Sequence, residues 1–204
     1  MKIALFGATG MIGSQIAAEA VRRGHELTAI SRSGNPVPGL DGATVLAADL
    51  ADAGLIASVA AAHDAVVLAT GPSRTGGDHQ EWLDAMASTM ANVGTTRTLV
   101  VGGAGTLTVD GVRLLDQPGF PDAYRTEAIT AAVALEAIRA LPAGVNWTVL
   151  APAPEIAPGE RTGQYVTGGD SPAGSAVSTQ DFAVAALDEL ETPKHLRARF
   201  TVAN

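Results

Sequence analysis

Three glycines near the amino terminus are the residues whose type and spacing point most directly to a chemistry. Gly7, Gly10 and Gly13 follow the apolar run IALF and precede an amphipathic stretch that predicts a helix over 11–23. Glycine lets the main chain turn sharply and approach a ligand closely, and the N–H groups at a helix start favour a phosphate. The spacing is GxxGxxG rather than GxGxxG, so it matches the dinucleotide fingerprint loosely. A tight strand-to-helix turn without a ligand is the alternative interpretation.

The residues after the second predicted strand bear on which dinucleotide would be preferred. The stretch AISRSG places Arg32 and Ser33 at the strand end, and no acidic residue follows before Asp41. A carboxylate here would bind the ribose 2′-hydroxyl of NAD, whereas an arginine suits the 2′-phosphate of NADP. Arg32 offers a charge-assisted fork and Ser33 a further hydroxyl. The sequence therefore predicts NADP(H) over NAD(H), with a solvated loop arginine as the alternative.

The elements that must position these residues alternate along the chain. The predicted strands are 3–7, 26–30, 44–48, 65–70, 98–103, 147–152 and 199–203, and the predicted helices are 11–23, 52–62, 78–93, 124–141 and 180–190. This alternation implies a parallel sheet covered on both faces, with ligands at the carboxyl ends of its strands. We expect a single α/β domain over 1–204, a Rossmann-type doubly wound parallel sheet with C-terminal lid loops. Residues 151–178 hold four prolines and five glycines and are expected to be mostly loop over the active site.

Composition and charge exclude several classes of site and partner. The 204-residue chain is 47% apolar and has no cysteine, which excludes disulfides and cysteine-based metal sites. Its 13 Lys and Arg against 21 Asp and Glu give a net charge of −8 without a basic run, so we expect no nucleic-acid partner. No apolar stretch approaches the ~20 residues that span a bilayer. We therefore expect no membrane partner and a cytoplasmic location. His25, His63 and His195 are expected to be solvated and too dispersed to form a metal site.

The order of these motifs resembles a known family. The opening strand–GATGxxG–helix–RGHE–strand–SR is similar to atypical short-chain dehydrogenases/reductases. The segment VVGGAG, the loop GVRLLDQPGFPDAY and the ending DFAVAALDELETPKH are similar to NAD(P)H-flavin reductases within that group. That branch is related to biliverdin reductase B and to nitrogen-regulator-type NADP-binding proteins. The resemblance covers essentially the whole chain.

The resemblance implies a set of residues that contact the dinucleotide. From pyrophosphate to nicotinamide they are Gly7, Thr9, Gly10, Met11, Ile12 and Gly13 for the pyrophosphate, Arg32 for the adenosine phosphate, Asp49 and Leu50 for adenine, Thr70, Gly71 and Pro72 for the nicotinamide ribose, and Pro152 and Ala153 for the nicotinamide. Asp49 has an alternative interpretation of near equal weight, as a strand-end or helix-capping carboxylate.

The acid–base relay of most short-chain dehydrogenases does not match this sequence. That relay uses a Tyr and a Lys four residues apart on one helix, with a Ser or Thr after the fifth strand. Tyr124 is followed four residues later by Ala128, and no lysine occurs between residues 3 and 193. If Glu136 is aligned with the Glu that follows the pair in extended members, the Tyr and Lys positions fall on Ala128 and Ala132. The nearest hydroxyl after the fifth strand is that of Thr106.

The missing relay favours an acceptor that needs no protein acid. Hydride transfer to a flavin can take its proton from solvent, so the protein mainly has to stack two rings. The small residues Gly102, Gly103 and Ala104 would leave room for a flat ring beside the nicotinamide. We expect an NADPH-dependent oxidoreductase that reduces FMN, FAD or a similar flat acceptor such as a quinone. A catalytically silent NADP(H)-binding redox sensor that acts through a protein partner is the alternative, and a sugar epimerase or dehydratase is disfavoured.

Several other side chains are weaker candidates. Tyr124 at the start of its helix and His79 after the fourth strand are possible contacts of the substrate, although each has an ordinary structural interpretation. Arg113, Arg125 and Arg161 lie in the expected lid loops, where a flavin phosphate would be within reach but solvation is the simpler expectation. No catalytic residue is assigned from the sequence.

Overall fold

The computed structural model describes residues 1–40 and 42–204; Asp41, the first acidic residue after the second predicted strand, lies outside them. The strands are β1 (Lys2–Phe6), β2 (Glu26–Ser31), β3 (Thr44–Ala47), β4 (Ala65–Leu68), β5 (Arg97–Val101), β6 (Thr108–Val109), β7 (Val112–Arg113), β8 (Trp147–Pro152), β9 (Glu155–Ala157), β10 (Val166–Gly168), β11 (Ala176–Ser178) and β12 (Ala198–Ala203). The helices are α1 (Met11–Arg22), α2 (Ala53–Ala62), α3 (His79–Asn92), α4 (Asp122–Arg139) and α5 (Thr179–Glu191).

The main sheet confirms the predicted doubly wound parallel architecture. Its strand order is β10-β12-β8-β5-β4-β1-β2-β3. All neighbours pair in parallel except the edge strand β10, which is antiparallel to β12. The chain builds outward from β1 to β3 and then returns to β4 on the other side of β1. The strand order therefore reverses between β1 and β4, which is where this fold binds ligands.

Helices cover both faces of the sheet because each presents an apolar stripe to it. On one face α1 and α5 pack through residues such as Ile16 and Phe182, both fully buried. On the other face α2, α3 and α4 pack through Ile56, Met90 and Leu135. The strands are apolar toward both layers, as expected for a parallel sheet buried on two sides. The carboxyl ends of the parallel strands therefore lie together along one end of the sheet, and the helices begin just beyond that end.

Side-chain caps begin three of the helices. Asp52 accepts a hydrogen bond from the Leu55 N–H at 3.0 Å, and Asp78 caps α3 in the same way. Ser178 caps α5 through the N–H of Asp181 at 3.0 Å. Asp181 does not itself cap the helix. Its buried carboxylate instead accepts from the segment at 162–163, because that segment folds back onto α5.

The segment 151–178 combines irregular chain with the short strands β9, β10 and β11. Part of it packs along α1 and α5. Arg161 donates to Glu19 of α1 at 2.9 Å, and the Tyr165 hydroxyl donates to Asp188 of α5 at 2.6 Å. Arg161 is exposed, as the sequence suggests, and in addition the fold brings a buried carboxylate of a distant helix beside it.

The three dispersed histidines are not solvated. His25 contacts Glu191 at 2.7 Å, and His63 contacts the Thr28 hydroxyl at 2.8 Å. His195 contacts Glu189 at 2.8 Å and stacks on a phenylalanine ring. Each histidine lies near the end of a helix or strand, as predicted. Its hydrogen-bond partner lies on a helix or strand that does not include the histidine itself. These contacts hold the connecting segments at the amino-terminal end of the sheet against the helices.

Candidate active site

The predicted site residues follow the carboxyl ends of six neighbouring strands. In the sheet register Phe6 of β1 lies beside Ile30 of β2 and Leu68 of β4. Leu68 in turn lies beside Val100 of β5. The carboxyl ends of these strands therefore lie at the same height. The loops that follow them lie together along the carboxyl-terminal edge of the sheet. The residues on this edge are Gly7–Gly13 after β1, Arg32 and Ser33 after β2, Asp49 and Leu50 after β3, Thr70–Pro72 after β4, Gly102 and Gly103 after β5, and Pro152 and Ala153 at the end of β8.

The glycine-rich turn leaves no space for side chains at two of its glycines. Gly7 has φ of +80°, and a Cβ built on it would lie 2.3 Å from the Ala69 carbonyl oxygen. A Cβ built on Gly13 would lie 2.0 Å from the Gly7 carbonyl oxygen. Both neighbours are main-chain atoms, which cannot move aside as a flexible side chain can. The glycines are therefore required for β1, its turn and α1 to approach this closely.

The start of α1 presents uncapped N–H groups to solvent. Its N-cap residue is Gly10, which makes no side-chain hydrogen bond to the helix. The N–H groups of the first helical turn, at Met11, Ile12 and Gly13, point beyond the helix because no preceding turn exists to accept them. Thr9, Gly10 and Met11 are exposed. A pyrophosphate fits this place, since it supplies acceptors and negative charge at the positive end of the helix dipole.

On the adenine side, the structure places the predicted residues without testing their contacts. Arg32 and Ser33 are exposed after β2, and the Ser33 hydroxyl oxygen accepts from the Asn35 N–H at 3.4 Å. The Asp49 carboxylate accepts from the Ala51 N–H at 2.9 Å, a local contact compatible with its alternative interpretation as a strand-end carboxylate. Leu50 is buried. Contact of these residues with adenosine stays a prediction.

On the nicotinamide side, the loop after β4 is held against α3. The Trp82 indole N–H donates to the Thr70 hydroxyl oxygen at 3.2 Å. Gly71 is exposed and Pro72 half-buried, so this part of the loop faces the shared edge. Pro152 and Ala153 are buried at the end of β8. Sequence reasoning missed Trp82, because nothing in the local pattern shows that an indole on α3 reaches back to the preceding loop.

Small residues bring α4 close to the end of β5. A Cβ built on Gly103 would lie 3.3 Å from the Ala131 Cβ, and one built on Gly105 would lie 2.8 Å from the Ala128 Cβ. Beside them a narrow apolar cleft is lined by Trp82, Gly103, Ala131 and other residues of α4 and β5. Ala128, one of the two positions that the sequence aligns with a Tyr–Lys pair, is therefore closely packed against the turn after β5.

The hydroxyl of Thr106 already makes two hydrogen bonds, one with a main-chain carbonyl group and one with a side chain. It donates to the Gly103 carbonyl oxygen at 2.8 Å and accepts from the Arg199 guanidinium at 3.0 Å. Arg199 is buried on β12, and burial lowers its pKa although Asp170 opposes the change. Arg199 and Thr106 together fix the turn that follows β5. Thr106 is thus a structural hydroxyl beside the site.

His79, one of the two weak catalytic candidates, is fully hydrogen-bonded. Its Nε2 lies 2.8 Å from the Ser73 carbonyl oxygen, and its Nδ1 lies 2.7 Å from the Thr130 hydroxyl of α4. Tyr124, the other candidate, is 60% exposed in the first turn of α4. Neither ring nitrogen of His79 is available to a substrate without breaking one of these bonds.

The arginines expected in lid loops are engaged in local structure. Arg125 donates to the carbonyl oxygens of Leu115 and Phe120 at 2.8 and 3.1 Å, which closes the loop before α4. Arg113 pairs with Asp116 at 2.6 Å on the surface. Solvation was the expectation for both, and it is wrong for Arg125 because the folded loop directs two carbonyl groups at its guanidinium.

Comparison with known proteins identifies the family. The model of a family described as NAD(P)H-binding matches residues 7–193. YwnB of Bacillus subtilis, an uncharacterised protein, is 40% identical over 215 residues that cover all of this chain and 99% of that protein. The chain is similar to the structure of a candidate exported protein from Burkholderia pseudomallei, with 41% identity, a TM-score of 0.86 and full coverage of both chains. It is also similar to SP1627 of Streptococcus pneumoniae, a candidate NADH-flavin reductase, with 32% identity, a TM-score of 0.89 and coverage of 100% and 99%.

The chain belongs to the NAD(P)H-binding family, and its fold and neighbours are those of atypical short-chain dehydrogenases/reductases. This confirms the resemblance seen in the sequence. Within residues 1–40 and 42–204, no group of three or more carboxylates and histidines is arranged to hold a metal ion. Over the same residues, no helix has both the length and the apolar character needed to cross a membrane.

Proposed function

We propose that this protein is an oxidoreductase that binds NADPH and transfers hydride to a free flavin or a similar flat acceptor without a protein proton donor. The observation that carries the proposal is the junction of α4 with the end of β5. There Gly103, Ala128 and Ala131 stand beside the expected nicotinamide position. The side chains there are small and apolar, and none of them can donate a proton to an acceptor. SP1627, the similar protein from Streptococcus pneumoniae, is a candidate NADH-flavin reductase and supports the same direction.

The residues that would hold the dinucleotide fit its chemistry from one end to the other. The uncapped N–H groups of Met11, Ile12 and Gly13 suit the pyrophosphate. The exposed guanidinium of Arg32 suits a 2′-phosphate, which is the basis for proposing NADPH as the preferred donor. Thr70 and the residues after it lie where the nicotinamide ribose would follow. The nicotinamide, when bound, supplies a hydride, that is, a proton with two electrons.

The acceptor is inferred from what the chain's side chains cannot do. A carbonyl acceptor needs a proton at its oxygen as the hydride arrives, and the Thr106 hydroxyl nearby donates to Gly103 instead. A flavin takes the hydride and one solvent proton onto its ring nitrogens, so the atoms and electrons balance without a residue of the protein. The protein's part is to hold two flat rings at a distance of about 3–3.5 Å.

Steady-state oxidation of NADPH with added FMN, FAD or a quinone tests the proposal. NADH serves as the competing donor, and Arg32→Asp serves as the variant that exchanges a phosphate-binding charge for a ribose-binding carboxylate. We expect saturable turnover with an NADPH preference that the variant reverses, because the 2′-phosphate would then face a negative charge. Turnover with NADH and NADPH alike in both proteins would refute the role of Arg32.

Tight NADPH binding without turnover on any acceptor would refute the reductase. The same small-residue packing would then suit a protein that senses the dinucleotide and acts through a protein partner, since such a protein needs binding alone. The turnover assay therefore distinguishes the reductase from the sensor.

A further inference from the structure

One histidine bridges the loop between β4 and α3 to α4, with both of its ring nitrogens hydrogen-bonded. His79 is the first residue of α3 and is half-buried. Its Nε2 lies 2.8 Å from the Ser73 carbonyl oxygen, within the loop. Its Nδ1 lies 2.7 Å from the hydroxyl of Thr130, which is 6% exposed on α4. The ring thus bridges the loop and a helix 51 residues away in the chain.

The protons of this bridge can be assigned from the partners. A carbonyl oxygen can only accept, so Nε2 carries a proton and donates to Ser73. In the neutral ring Nδ1 is then the acceptor, and the Thr130 hydroxyl is its donor. The same hydroxyl lies 3.0 Å from the Thr126 carbonyl oxygen, to which it donates when Nδ1 is itself protonated. The bridge therefore persists in both charge states of the ring.

The bridge fixes a loop whose own structure is organised around Ser73. The Ser73 hydroxyl oxygen accepts from the N–H groups of Thr75 and Gly77 at 3.2 and 3.0 Å. A second connection to α4 is the ion pair of Arg74 with Glu127 at 3.2 Å, in which the Arg74 side chain is 76% exposed and adds little. The buried contact to Thr130 is therefore the principal attachment of residues 73–77 to α4.

We propose that His79 and Thr130 are positioning residues for the nicotinamide half of the dinucleotide. This inference rests on the proposed function, which places the nicotinamide ribose against Thr70, Gly71 and Pro72. These residues lie immediately before the loop that the bridge holds. The next residue on α4 is Ala131, whose Cβ would lie 3.3 Å from a Cβ built on Gly103 in the turn after β5. The bridge thus holds the loop after β4 at a fixed position relative to Gly103, which follows β5, because both are packed against α4.

The pair Thr130→Val and Thr130→Ser tests the proposal. Valine keeps the volume of threonine and removes the hydroxyl, whereas serine keeps the hydroxyl. Removal of one ordinary hydrogen bond changes a local equilibrium by about fivefold. We expect Thr130→Val to raise the NADPH dissociation constant about fivefold and to speed amide exchange across residues 73–77. We expect Thr130→Ser to restore both.

A fragment without nicotinamide separates positioning from general loss of structure. The affinity for adenosine 2′,5′-bisphosphate should be the same in all three proteins, because that fragment carries the adenosine half of the dinucleotide and no nicotinamide ribose. His79→Ala should reproduce the effects of Thr130→Val. Unchanged NADPH affinity in Thr130→Val and His79→Ala would refute the proposal, and so would an equal loss for the fragment.

The outcome is independent of turnover. If the wild-type protein reduces no acceptor but the NADPH and fragment affinities diverge as described, the proposed reductase fails and the positioning role stands. If turnover is found but the affinities do not diverge, the reductase stands and the positioning role fails.

Discussion

Replacement of Gly13 by alanine should disable dinucleotide binding through a main-chain clash. The new Cβ would lie 2.0 Å from the Gly7 carbonyl oxygen, and ordinary contact begins at 3.4 Å, so α1 and the turn must separate by roughly 1.4 Å. Overpacking of this kind costs about 1–3 kcal/mol of folding free energy. The separation also displaces the N–H groups of the first helical turn. Because a hydrogen bond to a charged group contributes about 1.5–3 kcal/mol, we expect the NADPH dissociation constant to rise at least about tenfold.

Gly54→Ala is the matched control for this experiment. Gly54 is exposed in the first turn of α2, and the nearest atom to a built Cβ is the Asp52 carboxylate at 3.6 Å. The substitution should leave binding unchanged and stabilise the fold by up to about 0.5–1 kcal/mol, since alanine favours the helix. Titration of nicotinamide fluorescence and urea unfolding measure the two effects. Wild-type affinity in Gly13→Ala would refute the assignment of the turn.

Two further predictions concern stability. Burial opposes ionisation of Glu19, but hydrogen bonds from Arg161, Arg22 and Arg23 outweigh it and lower the pKa of Glu19 to about 2 from an ordinary 4.5. A lowered carboxyl pKa stabilises the fold above 4.5 and loses that contribution as the pH falls toward 2. Glu19→Gln should therefore be less stable than wild type at neutral pH by roughly 1–3 kcal/mol, with a gap that narrows below pH 4.5 in urea unfolding; a gap independent of pH would contradict this. Ser178→Ala should cost about 1 kcal/mol in the same assay because the cap of α5 is lost, and an unchanged midpoint would refute the capping role.

The main sheet could be predicted from the sequence because its signals are local. Apolar runs indicate all seven parallel strands of this sheet, and the alternation with helices implies their topology. The edge strand β10 could not be predicted, since Val166–Gly168 carries no alternating pattern and is ordered by its pairing with β12. The hairpin of β6 and β7 is likewise too short to leave a periodic signal. The strand β10 thus exists because of a partner distant in the sequence, whereas β6 and β7 pair locally across a two-residue turn.

The candidate site likewise has one part that could be predicted from the sequence and one part that could not. The turn at Gly7–Gly13 combines residue type, spacing and position between a strand and a helix, so it was visible in the sequence. The interactions that hold the nicotinamide side were not visible. Trp82 binds Thr70, and Thr130 binds His79, through side chains that the fold brings together from separate elements. A single Trp or Thr on a predicted helix has no local property that reveals such a partner.

The most direct test of the account is to mix the NADPH-loaded protein with FMN in the absence of oxygen and to follow the flavin and nicotinamide absorbances together. The account predicts that both fall at the same rate, in a one-to-one ratio, and that the rate saturates with FMN. Bound NADPH that persists beside unreduced FMN would contradict it.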